Sequence, residues 1–338
     1  MASNAGQNAG TATAVSFEAP RRVELVGVDV PAPGPGEVVV RTLWSGISGG
    51  TEMLAYRGEI DPLLPLDEAI GALAGTFAFP FRYGYSCVGR VERSESASDE
   101  GRTVFAFHPH QDRFVARADD VIPLDGVDPR VGTLFPLVET ALQVALDAGP
   151  VLEEGVLVTG LGAVGLLTSL LLGRAGARVV AIEPNAERRD VAAGLGLVAV
   201  PPDAVGRVLA DLAPGGAQLL VEASGRPDVL AEGLAWLGHE GEALVVSWYG
   251  NKDVRLPLGG DFHRRRLRIR STQVSSVPAA LAGRWSRARR QAVARDLMAE
   301  LPLAPLATHA FPFNDAAAAF AAVDQGAPGL VHAALCYT

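Results

Sequence analysis

The stretch Gly155–Glu183, GVLVTGLGAVGLLTSLLLGRAGARVVAIE, constrains this chain more than any other. It opens on the short apolar run Val156-Leu157-Val158, the pattern of a parallel strand buried on both faces. Gly160-Leu-Gly162-Ala163-Val164-Gly165 follows, a GxGxxG set directly between that run and a helical one. The helical run is apolar nearly all round through Leu166, Leu167, Leu170 and Leu171, as befits a helix packed on a sheet. A second strand, Val179–Ile182, ends on Glu183. Strand, glycine turn, helix, strand and terminal acid together predict dinucleotide binding. Gly160 permits the tight turn, Gly162 lets backbone approach a pyrophosphate, and Gly165 allows close helix–strand packing. The helix start, at Ala163 and Val164, offers unpaired N–H groups and a positive dipole end to that pyrophosphate.

Glu183 stands where an acid about 20 residues after the glycines accepts the ribose hydroxyls of NAD. Its charge repels a 2′-phosphate and so favours NAD(H) over NADP. Arg188 and Arg189 lie close enough downstream to offer such a phosphate a partner, or to be solvated helix residues.

The expected organisation follows from periodicity. Residues 1–14, MASNAGQNAGTATA, are small and polar and read as a disordered tail with neither the basic region nor the apolar core of a secretory signal. A β-rich stretch follows, with strands at 23–26, 37–43, 86–92, 103–106 and 113–116, a Gly/Ser/Thr-rich loop at Ser45–Glu52, and a helix near 139–148. From about Val151 strands alternate with helices, which predicts a parallel sheet covered on both faces. Helices near 288–301 and 314–323 are expected to return to the first domain. The chain therefore reads as an α/β protein with domains at 15–148 plus 273–338 and at 149–272.

A formal charge of −9 argues against nucleic acid or an anionic membrane as partner. No apolar run reaches the roughly 18 residues of a membrane span. Two cysteines, Cys87 and Cys336, cannot build a disulfide framework, so a cytoplasmic location is expected. Arg264–Arg270 alternates charge with Leu267 and Ile269, the pattern of a half-exposed strand, and Arg284–Arg295 reads as a helix with a charged face. Both read as solvated or subunit-facing surfaces more readily than as anion sites.

A β-rich first half, a mid-chain GLGAVG unit and a short returning tail resemble the medium-chain dehydrogenase/reductase (alcohol dehydrogenase-like) family. Ser45–Glu52 resembles its first zinc-ligand loop, and Tyr83-Gly84-Tyr85-Ser86 its Gly-His-Glu stretch. Glu139-Thr140-Ala141 resembles the Thr-Ala that opens the helix beside the nicotinamide site. Glu222-Ala223-Ser224-Gly225 and Ser247-Trp248-Tyr249-Gly250 resemble the later strand ends that line the cofactor, with Thr272 following the last strand. The resemblance implies a GroES-like β-rich catalytic domain, a Rossmann doubly wound parallel-sheet domain, a small-molecule substrate and a homodimer. The loop Ser45-Gly-Ile-Ser48-x-Gly-Thr51-Glu52 and the Pro109-His110-Gln111 segment are closest to a bacterial biosynthetic subset that includes bacteriochlorophyllide a dehydrogenase.

The departures from that family bear on its metal. The zinc-ligand positions are occupied by Ser48, by Tyr85 with Ser86, and by Pro136, and the four-cysteine lobe is missing. Serine and tyrosine hydroxyls are poor zinc ligands and proline offers none, so no zinc is expected. Only His108, His110 or Glu52 remain for a rearranged site. Without metal, a hydroxyl or imidazole must meet the substrate oxygen as charge develops on it. Tyr85 is one candidate, since a phenol with an ordinary pKa of about 10 keeps its proton at neutral pH; otherwise it is a pocket wall. His110 is the other, unless it is a satisfied structural residue. Thr51 could hydrogen-bond the nicotinamide ribose or the substrate oxygen with Glu52 orienting it, or Glu52 could be a buried partner of an arginine. Three functions stay open: a zinc-independent NAD(H) oxidoreductase of a secondary alcohol or ketone of a specialised metabolite, a reductase of a conjugated C=C or C=N bond, and a NAD-binding module with little catalysis.

Overall fold

The computed structural model describes residues 10–338 and divides into two compact units, one reaching to Pro136 and resuming at Ala307–Thr338, the other Leu137–Leu306. The expected tail covers residues 1–14; residues 1–9 lie outside the described residues, and from Gly10 onward the chain is strand. Small β-compatible residues, Thr11, Thr13 and Val15, made that strand look like linker.

Along the first unit run β1 (Gly10–Ala19), β2 (Arg22–Val30), β3 (Glu37–Ile47), helix α1 (Thr51–Arg57), β4 (Cys87–Arg93), β5 (Thr103–Ala106), β6 (Arg113–Arg117), β7 (Ile122–Pro123) and α2 (Pro129–Gly132). Helix α3 (Phe135–Ala148) begins at the division. The second unit continues with β8 (Gly155–Thr159), α4 (Ala163–Arg174), β9 (Arg178–Ile182), α5 (Ala186–Gly194), β10 (Ala199–Val200), α6 (Val205–Leu212), β11 (Ala217–Glu222), α7 (Pro227–Gly233), β12 (Leu237–Val245), β13 (Arg268–Ser271) and α8 (Arg287–Glu300). The first unit then closes with β14 (His309–Pro312), α9 (Ala316–Gln325) and β15 (Ala333–Cys336).

In the first unit, β1 and β2 form an antiparallel hairpin. The larger sheet has the order β14-β15-β3-β4-β5-β7, with β6 also paired to β3. Strand β3 is its organiser: Val38, Val39 and Val40 are all buried, and the strand pairs with β15, β4 and β6. An aromatic core lies beside the sheet. Phe17 stacks on Phe81 at 5.1 Å and meets Phe320 of α9 edge-on at 5.2 Å. Complete burial of a ring of this size contributes about 1.5–3 kcal/mol.

The short helix α1 lies in a segment whose Gly-Gly entry reads as loop. Met53, Leu54, Ala55 and Tyr56 are buried, and Gly58 ends the helix in the left-handed conformation, its N–H reaching Leu54 O and Ala55 O.

The second unit is a six-stranded parallel sheet in the order β10-β9-β8-β11-β12-β13. Numbered from β8, this is the 3-2-1-4-5-6 order of a doubly wound fold, in which the chain changes direction between β8 and β11. Every residue of β8 is buried, as its unbroken apolar run requires.

One expected boundary needs correction. Helix α8 belongs to the second unit, so the return to the first unit comes at Ala307 rather than 273. Helix α7 ends at Gly233, and a single 3-10 turn, Leu234–Trp236, follows it.

Candidate functional site

In the second unit the predicted glycines converge at the carboxyl ends of β8 and β11, the crevice where doubly wound sheets take their ligands. Gly160 has φ +85, and a Cβ there would stand 2.6 Å from Ser224 Cα, so only glycine fits between the two strand ends. A Cβ on Gly165 would stand 1.9 Å from the Gly160 carbonyl oxygen. Gly162 differs: nothing lies within 4 Å of its missing Cβ, which leaves open space beside the start of α4. Gly162 caps α4 without any side-chain hydrogen bond, leaving the first N–H groups, at Ala163 and Val164, for a ligand. These features fit the pyrophosphate of a dinucleotide.

Glu183 is 3% exposed, and it staples the turn. Its Oε2 accepts from Leu161 N at 2.7 Å and its Oε1 from Asn185 N at 2.9 Å. Arg188 Nη1 lies 4.0 Å from the carboxylate, while Arg189 is turned to the Glu183 and Pro184 carbonyls at 2.8 Å.

Glu222, at the end of β11, is 0% exposed and its carboxylate joins two of the expected cofactor residues. Ser224 N donates to its Oε1 at 2.7 Å, the Ser224 hydroxyl donates to the same oxygen, and Tyr249 OH donates to Oε2 at 2.6 Å. Burial, then the Glu222 carboxylate, push the Tyr249 phenol up, so it remains a donor. Ser247 Oγ accepts from Gly225 N at 2.8 Å, and Ala223 N donates to Thr159 O at 2.9 Å. Sequence reading marked Glu222 only as a strand end. Thr272 is placed elsewhere, its hydroxyl donating to Asp147 Oδ2 at 2.6 Å, and Thr140 sits half-buried on α3.

In the first unit Ser48, Thr51, Glu52, Tyr85 and His110 come together. Tyr85 is half-buried, and the Ser48 and Thr51 hydroxyls and the Glu52 carboxylate act on its phenol. Burial pushes its phenol up to about 12, the Glu52 carboxylate adds to that, and the two hydroxyls pull the other way. The phenol therefore holds its proton throughout the neutral range.

Glu52 has no arginine partner. It is 0% exposed, with Oε1 accepting from Ser48 N at 3.0 Å and Oε2 facing His110 Nε2 at 2.8 Å. His110 is equally buried, its other nitrogen meeting Ser45 Oγ at 2.7 Å, and Phe320 packs edge-on at 5.8 Å. Both ring nitrogens of His110 are thus engaged within the protein. Ser45 Oγ continues to Tyr337 OH at 2.9 Å. No sequence signal pointed to Tyr337, because 292 residues separate it from Ser45.

The positions where the resemblance expects zinc ligands hold Ser48, Tyr85 with Ser86, and Pro136. Ser86 Oγ is buried and donates to Thr133 O at 2.7 Å, away from any ligand role. His108 is stacked on Phe114 at 3.9 Å, with Nδ1 against Pro109 O at 2.9 Å. Burial lowers its pKa to about 4, so it is neutral at physiological pH. Among the described residues no three of His, Cys, Asp and Glu gather into a metal-holding group.

Residues 163–290 match the family described as zinc-binding dehydrogenase. The chain is 28% identical over 323 residues to 2-desacetyl-2-hydroxyethyl bacteriochlorophyllide A dehydrogenase of Cereibacter sphaeroides, covering 91% of this chain and 93% of that protein. Among solved structures, a short chain alcohol dehydrogenase (rspB) of Escherichia coli CFT073 complexed with NADH superposes with a TM-score of 0.76 at 17% identity, over 96% of this chain and 99% of that one. A Sinorhizobium meliloti zinc-binding dehydrogenase bound to NADP gives 0.75 at 18% identity, over 97% and 99%.

Proposed function

We propose that this chain, which matches the zinc-binding dehydrogenase model over residues 163–290, is a medium-chain NAD(P)-dependent oxidoreductase that works without zinc, transferring hydride between NAD(H) and a secondary alcohol or its ketone. The observation that carries this reading is the Tyr85 phenol, half-buried beside Ser48, Thr51 and Glu52 and held by burial in its protonated form. The donor set at the zinc positions does not fit the metal: serine and tyrosine oxygens are weak partners for Zn²⁺ beside thiolate and imidazole.

Gly160, Gly162, Gly165 and the first N–H groups of α4 hold the dinucleotide in this reading, which supplies or accepts the hydride when bound. Ser224, Ser247 and Tyr249, braced on Glu222, border the same strand ends. The buried Glu183 carboxylate beside the turn favours an unphosphorylated ribose, hence NAD. Tyr85 donates a hydrogen bond, and then its proton, to a ketone oxygen that becomes an alkoxide; in the oxidative direction the phenolate takes that proton back. Named relatives that are dehydrogenases of hydroxyl-bearing compounds support an alcohol–ketone substrate of a specialised pathway.

Tyr85→Phe is expected to lower turnover at least tenfold while NADH affinity stays within about twofold. The assay follows loss of NADH absorbance against a panel of ketones, with enones and imines run beside it. Undiminished turnover in the variant would remove Tyr85 from the role, and activity confined to enones or imines would move the function to the C=C or C=N reading.

A further inference from the structure

Two buried carboxylates flank the glycine turn, one at the end of each strand paired with β8. Glu183 follows β9, and its Oε1 accepts from the N–H two residues on, Asn185, at 2.9 Å. Glu222 ends β11, and its Oε1 accepts from the N–H two residues on, Ser224, at 2.7 Å. Their places in the doubly wound order differ. The sheet reverses between β8 and β11, so β8, β9 and β10 form one mononucleotide half and β11, β12 and β13 the other. The glycine turn and Glu183 belong to the half that takes the adenosine ribose. Glu222 therefore belongs to the half left for the nicotinamide.

The Glu222 carboxylate is 0% exposed and is gripped by neutral donors. Oε1 takes the Ser224 N–H and hydroxyl, and Oε2 takes the Tyr249 hydroxyl at 2.6 Å. Its own carbonyl accepts from Val246 N at 2.8 Å and Ser247 N at 3.2 Å, which ties β11 to the end of β12. The nearest arginine in sequence, Arg226, turns outward: its side chain is 68% exposed and pairs with Asp228 at 2.5 Å. The Ser224 turn lies against the glycine turn, its Cα 2.6 Å from where a Gly160 Cβ would stand. A carboxylate held this way, out of water and among neutral dipoles, keeps a strong field in the crevice beside it.

Hydride uptake turns the nicotinamide ring from a cation into a neutral ring, while the adenosine half keeps its charge. We propose that the buried charge of Glu222 favours the oxidised, cationic ring and so makes bound NADH the stronger hydride donor. By linkage, the factor in affinity that Glu222 adds for NAD⁺ over NADH also displaces the equilibrium between the two bound forms toward NAD⁺. The carbonyl-reducing direction of the proposed reaction gains by that factor. This inference rests on the nicotinamide cofactor of the proposed function and is independent of Tyr85 as proton donor.

Glu222→Gln keeps the shape, offers Oε1 to Ser224 and an N–H to the Tyr249 oxygen, and removes the charge. Equilibrium binding of three probes reads the effect: NAD⁺, NADH, and ADP-ribose, which lacks the ring. In Glu222→Gln the Kd of NAD⁺ is expected to rise about three- to tenfold, with NADH and ADP-ribose within about twofold of the parent. Glu183→Gln removes a charge from the other half and should leave the ratio of the NAD⁺ to the NADH Kd within about twofold. Tyr249→Phe withdraws one hydrogen from the Glu222 carboxylate and leaves its charge less compensated. The ratio should then move the opposite way, about two- to threefold in favour of NAD⁺. Equal losses for all three probes in Glu222→Gln, an unmoved NAD⁺ affinity, or the same shift in Glu183→Gln overturns the proposal. Should Glu222→Gln fail to fold, Tyr249→Phe decides, and a ratio unmoved or moved toward NADH overturns it. A parent chain that binds none of the three probes ends the dinucleotide reading and this inference together, whereas the other outcomes strike the inference alone.

Discussion

Two glycines of one motif show how differently single residues serve the same turn. Gly165 exists for packing: alanine would gain roughly 1 kcal/mol of helix propensity but place its Cβ 1.9 Å from Gly160 O. The overlap costs more than the gain, so Gly165→Ala is expected to destabilise by about 2 kcal/mol or more and to lose NADH binding with it. Gly162 has φ −68 and open space around its missing Cβ. Gly162→Ala should therefore keep its unfolding midpoint within about 0.5 kcal/mol of the parent and still weaken NADH roughly tenfold, because the methyl fills the space left for the pyrophosphate. Chemical denaturation beside NADH titration checks both, and a Gly162→Ala chain with parental affinity would mean that no phosphate sits there. These roles were legible because GxGxxG is local and its neighbours in space are its neighbours in sequence. Glu222 was harder to place, since its value lies in Tyr249, 27 residues on. Ser45 and Tyr337 were invisible, as nothing in either neighbourhood announces the other.

At the scale of elements, the basic run Arg284–Arg295 shows where pattern and packing diverge. As sequence it is a helix with a charged face, and most of α8 is that. Arg290, however, is 1% exposed. Its Nε donates to Glu139 Oε1 at 3.0 Å, its Nη1 to Gln143 Oε1 at 2.5 Å and to Ser276 O at 3.4 Å, and its Nη2 to Val274 O at 2.5 Å. One side chain thus ties α8 to α3 and to the segment before it, which is why α8 stays with the second unit. Burial raises the Glu139 pKa, against the pull of Arg290, the mark of a carboxylate that depends on its partner. Arg290→Met strands that carboxylate and is expected to cost about 3–5 kcal/mol in denaturant unfolding, whereas Arg290→Met with Glu139→Gln should recover much of it. Equal losses in the single and double variants would show that the guanidinium acts only through the backbone carbonyls. The other basic run behaves as its alternation suggested: Arg266 pairs with Glu240, and Arg268 and Arg270 with Glu242, leaving an ion-paired edge strand in place of an anion site. Strands and helices of the second unit were readable because burial on both faces writes itself into continuous apolar runs. Helix α1 was not, because its seven residues begin after Gly-Gly and draw their stability from burial rather than from a repeated period.

Over the whole molecule, two separately cored units carry different shares of the proposed chemistry. The second presents a cradle that any dinucleotide enzyme could own; the first presents the polar cluster on which the proposed metal-free chemistry rests. A structural or catalytic zinc would bind the folded chain and raise its stability by linkage, and a chelator would take that stability away. Here the corresponding positions offer Ser48, Tyr85, Ser86 and Pro136, and both polar ends of Glu52 and His110 are already occupied within the protein. Dialysis against a chelator is therefore expected to leave both the unfolding midpoint and ketone-dependent NADH oxidation unchanged, with elemental analysis finding well under one zinc per chain. NADH at about 100 times its Kd should add about 2.7 kcal/mol of stability before and after that dialysis alike. Stoichiometric zinc whose removal abolishes turnover would sink the phenol mechanism while leaving the fold as it is. Zinc whose removal lowers only the unfolding midpoint would instead point to a structural ion elsewhere, with Tyr85 still in place to meet the substrate oxygen.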